Sequence, residues 1–279
     1  LTHSALGRTL LLEFDLLLRK DLTVADGSLT PTVSLRGKVS DGEWKARVEL
    51  AALYRLVALY GWDDMIYTHI SARLPGPTHE FLINPYGQFF DEITASSLVK
   101  IDLDGNILQD TPYFINPAGF TIHSAIHAAR DDAHFVMHLH SDQGVAVSAQ
   151  KEGLLPLSQH ALICLPRLAY HDYEGIALNP EEKSRLVQDL GAATMMLLRN
   201  HGTLATGATA AECWVNMFYL ERACKQQVMA LSVGRDNVRI ASEASQDEVR
   251  AQTSRGIGGA LAWPGALRRL DRESPGYDV

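Results

Sequence analysis

Apolar residues first fall into a helical rhythm in EWKARVELAALYRLVALYGW, where Val48, Leu50, Ala51, Leu53, Tyr54, Val57 and Ala58 recur at helical spacing. That is the stripe a helix lays against a core, and Gly61 is placed to end it. The rhythm then changes. MIYTHISARL, EFLINP and LVKIDLDGNIL are short pieces bounded by proline or glycine and read as strands, with DLDG resembling a hairpin turn. PAGFTIHSAIHAARDD returns to a helix, HFVMHLH reads as a strand, and a second helix is expected after Asp142. EEKSRLVQDLG predicts a helix opened after Asn179-Pro180 and closed by Gly191, and TMMLLRNHGTLATG predicts two short strands around a turn. TAAECWVNMFYLERACKQQVMALSVG predicts a long helix with Thr209 as its N-cap. Strands interleaved with helices argue for one layered α/β domain.

The pattern also sets boundaries. Residues 1–40 read as an N-terminal arm or linker: TLLLEFDLLLRK is short and broken by Glu13 and Asp15, too poor for a membrane span, and a turn-rich stretch follows. The body is expected over 41–235. From Arg235 onward the chain turns polar and glycine-rich, so 236–279 is expected to be a surface tail. With 279 residues, 46% hydrophobic and 21% charged, the chain can bury a sizeable core. A net charge of −8 without a long Lys/Arg block argues against nucleic acid and acidic membranes as partners. Three cysteines, Cys164, Cys213 and Cys224, with no CxxC spacing argue against a disulfide framework and for a reducing cytoplasm.

Candidate chemistry concentrates in HFVMHLHSDQ. On a strand, His138 and His140 point to one face about 6.5–7 Å apart while Leu139 points to the other. Two imidazoles so placed can converge on one ion at about 2.0–2.1 Å. Hydrogen-bonded core histidines are the competing reading. His201, at the junction of an apolar strand and a turn and followed by Gly202, is a third candidate, or else a turn histidine capping a carbonyl.

NPAGFTIHSAIHAARDDAHFVMHLHSD, with LLRNHGTLATG downstream and YTHISARLPG and FLINPYG upstream, resembles the class II aldolase/adducin family over about residues 45–235. The resemblance implies a three-layer α/β/α domain with a central, largely antiparallel or mixed β-sheet. It implies that His138, His140 and His201 hold one divalent ion per subunit, zinc favoured, with manganese, cobalt or iron able to fill the same site. It also implies a homotetramer with active sites at subunit interfaces.

The sequence departs from the family's aldolases in two places. Their acid/base glutamate aligns with Gly119, which has no side chain; His123, one turn later on the same helix face, is a candidate base or fourth ligand, or else packs on the sheet. Their phosphate-binding Gly-Asn turn and serine pair align with Thr68-His69 and Pro117-Ala118, which disfavours a sugar phosphate. His69, Ser71 and Arg73 share one strand face. His69 is the candidate proton donor, Ser71 a substrate contact, and Arg73 a carboxylate anchor or a salt-bridged strand residue. His160 is the nearest polar group to the position from which a neighbouring subunit completes the site, with Tyr170, Tyr173 and Glu174 as alternatives.

The expected activity is that of a metal-dependent carbon–carbon lyase, a decarboxylase of a hydroxy or oxo acid acting through a metal-stabilised enolate. A metal-dependent aldolase on a non-phosphorylated aldehyde, with His123 as base, is the first alternative. A non-catalytic, adducin-like cytoskeletal binding module is the second, and a scaffold has no physical need for all three histidines.

Overall fold

A computed structural model describes residues 33–175, 182–256 and 258–279; the arm expected over residues 1–40 lies almost wholly outside them. Helix α1 (Asp41–Tyr60) begins where the Ser40 hydroxyl accepts from the Glu43 amide and ends at Gly61, whose φ of 66° is a left-handed C-cap. Its stripe, Leu50, Leu53, Tyr54 and Val57, is fully buried.

Among the described residues seven strands follow: β1 (His69–Arg73), β2 (Phe81–Ile83), β3 (Val99–Ile101), β4 (Phe135–Leu139), β5 (Leu168–His171), β6 (Met195–Leu198) and β7 (Gly202–Gly207). They form one sheet in the order β3-β2-β1-β4-β7-β6-β5. Every neighbouring pair is antiparallel except β5 with β6, which makes the sheet mixed.

Helices α2 (Pro117–Ala129), α3 (Asp142–Ser148), α4 (Gln159–Cys164), α5 (Glu182–Leu190) and α6 (Ala210–Leu231) pack on its two faces. Side-chain alternation sorts the strands between them. Ile70, Ala72, Phe135, Met137, Leu139 and Ala205 join α1 and α6 in one core. Val136, Met196, Leu198 and Leu204 meet Ile122 and Ile126 of α2 and Leu186 and Leu190 of α5 in another. The result is the three-layer α/β/α arrangement expected from the resemblance.

Two regions differ from the sequence reading. Strand β5 and helix α4 were not anticipated: β5 is four residues long, sits at a sheet edge and is only half buried, so it carries no clean alternation. Where a polar surface tail was expected, the chain forms α7 (Glu243–Gln252) and α8 (Gly259–Glu273). Helix α7 buries no residue, whereas Trp263, Ala266, Leu267 and Leu270 of α8 pack into the α1–α6 core at helical spacing. The Tyr277 carbonyl then accepts from the Ala95 amide at 2.8 Å. Pro264 inside α8, with Gly259 and Gly265 beside it, breaks the helical signal in the sequence. Among the described residues no helix is long and apolar enough to cross a membrane.

Candidate metal centre

The histidines meet where three strands end. In the β1–β4–β7 register His138 faces His69 on one side and Leu204 on the other, so His138 points to the α2 face with Val136. His140 follows one residue past the end of β4, and His201 sits in the β6–β7 turn after Asn200, whose φ is 56°. Ligand atoms of His138, His140 and His201 all lie within 4.8 Å of one another. Their ring centroids are 4.7–4.8 Å apart.

Hydrogen bonds fix which nitrogens face inward. His138 Nδ1 lies 3.0 Å from the Thr203 carbonyl, and His140 Nδ1 lies 3.0 Å from Asp64 Oδ2. A carbonyl and a carboxylate can only accept, so both Nδ1 atoms carry the proton and both Nε2 atoms present lone pairs. Those two Nε2 atoms stand 3.1 Å apart, and with both rings neutral neither has a proton to share. Two nitrogens at about 2.0–2.1 Å from one tetrahedral ion would be about 3.3 Å apart. The donor set therefore fits a divalent ion, for which His201 would supply a third nitrogen.

Several residues that sequence reasoning missed hold this arrangement. Asp64 lies in the loop joining α1 to β1, where Met65 and Thr68 take positive φ of 51° and 67°. An acidic partner on the far nitrogen orients a ligand histidine and raises its basicity. We expect Asp64→Ala to weaken divalent-metal binding about 10–100-fold, as measured by competition with a chromophoric chelator; unchanged affinity would show that the carboxylate is a bystander.

Behind the cluster, Glu221 of α6 is buried and takes hydrogen bonds from Thr203 Oγ1 at 2.6 Å and from the Ser141 hydroxyl. One carboxylate thus ties the residue after His140 to the residue whose carbonyl orients His138. Gly144 packs into this network, where a Cβ would lie 2.6 Å from Thr203 and 2.8 Å from Ser141. The sequence did carry a signal for Glu221: it lies on the same α6 stripe as the buried Met217, Leu220 and Cys224.

Burial keeps His138, His201, His69 and His127 neutral. His138 is held far below the usual range by burial and then by the neighbouring charges of His201 and His140. Burial first, and then His140, lowers His201 to about 4. Burial likewise lowers His69 and His127 to about 3. Between those values and about 6.5 the unfolded chain binds protons that the folded chain refuses. Stability of the metal-free protein is therefore expected to be intact above about pH 6.5 and to fall as the pH drops toward 3. His69 and His127 each steepen that fall by up to about 1.4 kcal/mol per pH unit. Urea midpoints at pH 7, 6 and 5 test this, and a flat profile would contradict neutral burial.

The remaining candidates divide. His69, opposite His138, is buried, and neither ring nitrogen has a hydrogen-bond partner among the described residues. His123 is also fully buried, its ring centroid 6.1 Å from that of His69. Ser71 lies on the expected face, but its hydroxyl is engaged by His123 Nδ1 at 2.6 Å and His127 Nε2 at 2.7 Å. That leaves it a structural link rather than the expected substrate contact.

Arg73 is not brought to the cluster. Four residues along β1 from His69, it lies about 13 Å farther down the strand and pairs with the exposed Asp131 at 3.1 Å. Sharing a face is not sharing an end of the strand: the pair with Asp131 is the salt-bridged alternative, while Arg73 Nε and Nη2 have no hydrogen-bond partner among the described residues. His160 stacks on Tyr219 of α6 and meets Gln226, away from the three histidines within this chain. Tyr170 is committed to packing under Arg199 and Glu174 to a pair with Arg185, while the exposed Tyr173 reaches to 6.0 Å from the His201 ring.

Residues 48–228 match the family model described as class II aldolase and adducin N-terminal domain. A Caulobacter vibrioides protein, named for aldolase class 2 without a stated reaction, is 75% identical over 91% of this chain and 99% of its own length. Rat alpha-adducin is 44% identical over 78% of the chain, which spans only 31% of that protein. Among solved structures, an aldolase II superfamily protein from Pseudomonas syringae superposes with a TM-score of 0.85 at 50% identity, covering 88% of this chain and all of its own. An L-fuculose 1-phosphate aldolase from Glaciozyma antarctica PI12 has a TM-score of 0.74 at 23% identity over 90% of this chain and 96% of its own, a likeness of fold.

Proposed function

The chain belongs to the class II aldolase and adducin family, and from that premise we propose that it is a divalent-metal-dependent carbon–carbon lyase, a decarboxylase of a hydroxy or oxo acid, working as a cytoplasmic homotetramer. One observation carries this reading: the Nε2 lone pairs of His138 and His140 face each other at 3.1 Å, with both Nδ1 atoms committed to the Thr203 carbonyl and Asp64. Lone pairs held that close repel unless a cation lies between them, and three nitrogens favour zinc. When bound, the ion would act as a Lewis acid on a substrate oxygen, stabilising the charge left when a carbon–carbon bond breaks.

The chain's own residues do the rest. Helix α2 carries Gly119 where the family's aldolases have a glutamate, so that position offers no base for an alcohol proton. Loss of CO2 needs none, because the leaving group takes no proton with it; the carbon left behind needs a donor. We assign that role to the ring N–H of His69, which is buried opposite His138 with both ring nitrogens free of hydrogen-bond partners among the described residues. The 44% identity with alpha-adducin favours a second reading, a non-catalytic cytoskeletal binding module.

The test is metal content of untagged protein by mass spectrometry, then a screen of hydroxy and oxo acids for CO2 release. About one ion per chain with metal-dependent CO2 release supports the decarboxylase. Metal with aldehyde release instead would identify an aldolase, and no metal after reconstitution would favour the binding module.

A further inference from the structure

Behind His69 runs a chain of hydrogen bonds whose direction follows from its far end. His127 Nδ1 lies 3.0 Å from the Ala133 carbonyl, which can only accept, so Nδ1 holds the proton. A neutral His127, as its burial requires, then has a lone pair on Nε2, and the Ser71 hydroxyl at 2.7 Å donates to it. Serine has one proton, already given away, so Ser71 Oγ accepts from His123 Nδ1 at 2.6 Å. His123 is neutral as well, which leaves its Nε2 unprotonated. That atom is fully buried and has no partner among the described residues. His69 next to it is in the same condition at both ring nitrogens, and so is the buried hydroxyl of Thr68.

An unpaired buried acceptor costs about 1–3 kcal/mol, and such groups in folded proteins call for an explanation. Here a group of them lies at the β1 end that faces His138. Water could meet any one of these atoms. A lone pair locked from 133 through 127 and 71 is more specific, because it can receive a donor and cannot supply one.

We propose that the Ala133–His127–Ser71–His123 chain is a one-way relay that presents His123 Nε2 as a fixed hydrogen-bond acceptor for a ligand hydroxyl beside the histidine cluster. His127 and Ser71 are positioning residues, and His123 is the group that touches the ligand. The ligand class follows: a hydroxy acid, whose O–H donates to Nε2, is preferred over the matching oxo acid, whose carbonyl would set lone pair against lone pair. This narrows the substrate class of the proposed lyase to hydroxy acids that also carry a carbonyl β to the carboxylate, which takes the electron pair of the broken carbon–carbon bond, and it rests on that reading for the metal beside it.

The test uses nitrogen-15 NMR of histidine-labelled protein. In the metal-free wild type His123 is expected as the Nδ1–H tautomer, and an Nε2–H tautomer would overturn the relay. This measurement needs neither metal nor a folded variant, so its failure is distinct from failure of the lyase reading. In zinc-loaded protein lactate is expected to shift the His123 Nε2 signal and to bind about tenfold more tightly than pyruvate. Ser71→Ala is expected to release the tautomer and bring that ratio close to one, and Ser71→Thr, which keeps the hydroxyl, to restore it. Equal shifts by lactate and pyruvate, or a ratio that survives Ser71→Ala, would overturn the proposal, as would an Nε2 signal that reports only bound water and ignores lactate.

Discussion

His138→Ala is expected to abolish stoichiometric divalent-metal binding while leaving the metal-free fold nearly as stable as the wild type. The two halves follow from different parts of the structure. In the metal-free protein the His138 ring is buried with its Nε2 turned on that of His140, so the lost packing is offset by relief of that repulsion. In the metal-loaded protein the ring would supply one of three nitrogens, and no other His, Cys, Asp or Glu group among the described residues completes such a cluster. A ligand binding only the folded state adds about 4.1 kcal/mol at a thousandfold excess over its Kd. For a domain of this size that is roughly 10 °C in Tm. Wild type should show that rise on adding zinc, and His138→Ala should show none. A variant that still gained most of it would mean the metal sits elsewhere or that binding is nonspecific. Asp64→Ala, which removes only the outer partner of His140, is expected to fall between the two.

How much of this could be read from the sequence depends on the range of the interaction. The α1 stripe ending at Gly61, the HFVMHLH strand and the Thr209 cap are local patterns, and each is found where its period or cap chemistry places it. His138 and His140 were legible because two residues apart on a strand means one face. His201 was a candidate from its place at a strand end beside Gly202, and only the family resemblance tied it to His138 and His140. The β6–β7 turn brings it to the cluster, and nothing near residue 201 names its partners. Arg73 shows the limit of the periodic argument: it shares the face of His69 but lies at the other end of the strand. Asp64 and the Thr203 carbonyl were invisible for a further reason. They act across 76 and 65 residues of chain, one from a loop and one through its backbone, which carries no side-chain signature.

Gly202→Ala is expected to disable the centre without touching a ligand. The φ at this position is not left-handed, so the need for glycine is one of space and not of backbone conformation. A Cβ on residue 202 would stand 2.3 Å from the Leu139 carbonyl oxygen and 3.2 Å from Cδ2 of His140. The first contact is with backbone, in a strand paired on both sides, so it cannot be relieved by a rotamer change. Strand β7 must move off β4 at its start, where Leu139 pairs with Thr203. That motion carries His201 away from His138 and His140 and pulls the Thr203 carbonyl from His138 Nδ1. Overpacking of this kind costs about 1–3 kcal/mol, and loss of both the third ligand and an outer partner is expected to weaken metal binding by more than about a hundredfold. Gly265→Ala is the control: in α8 its Cβ would meet only Arg268 Nη2 at 3.7 Å, and the helix should gain about 0.4–1 kcal/mol. Unfolding midpoints and zinc affinity for the two variants should therefore separate. If Gly202→Ala kept both, the close approach of β4 and β7 would not be what sets the three histidines.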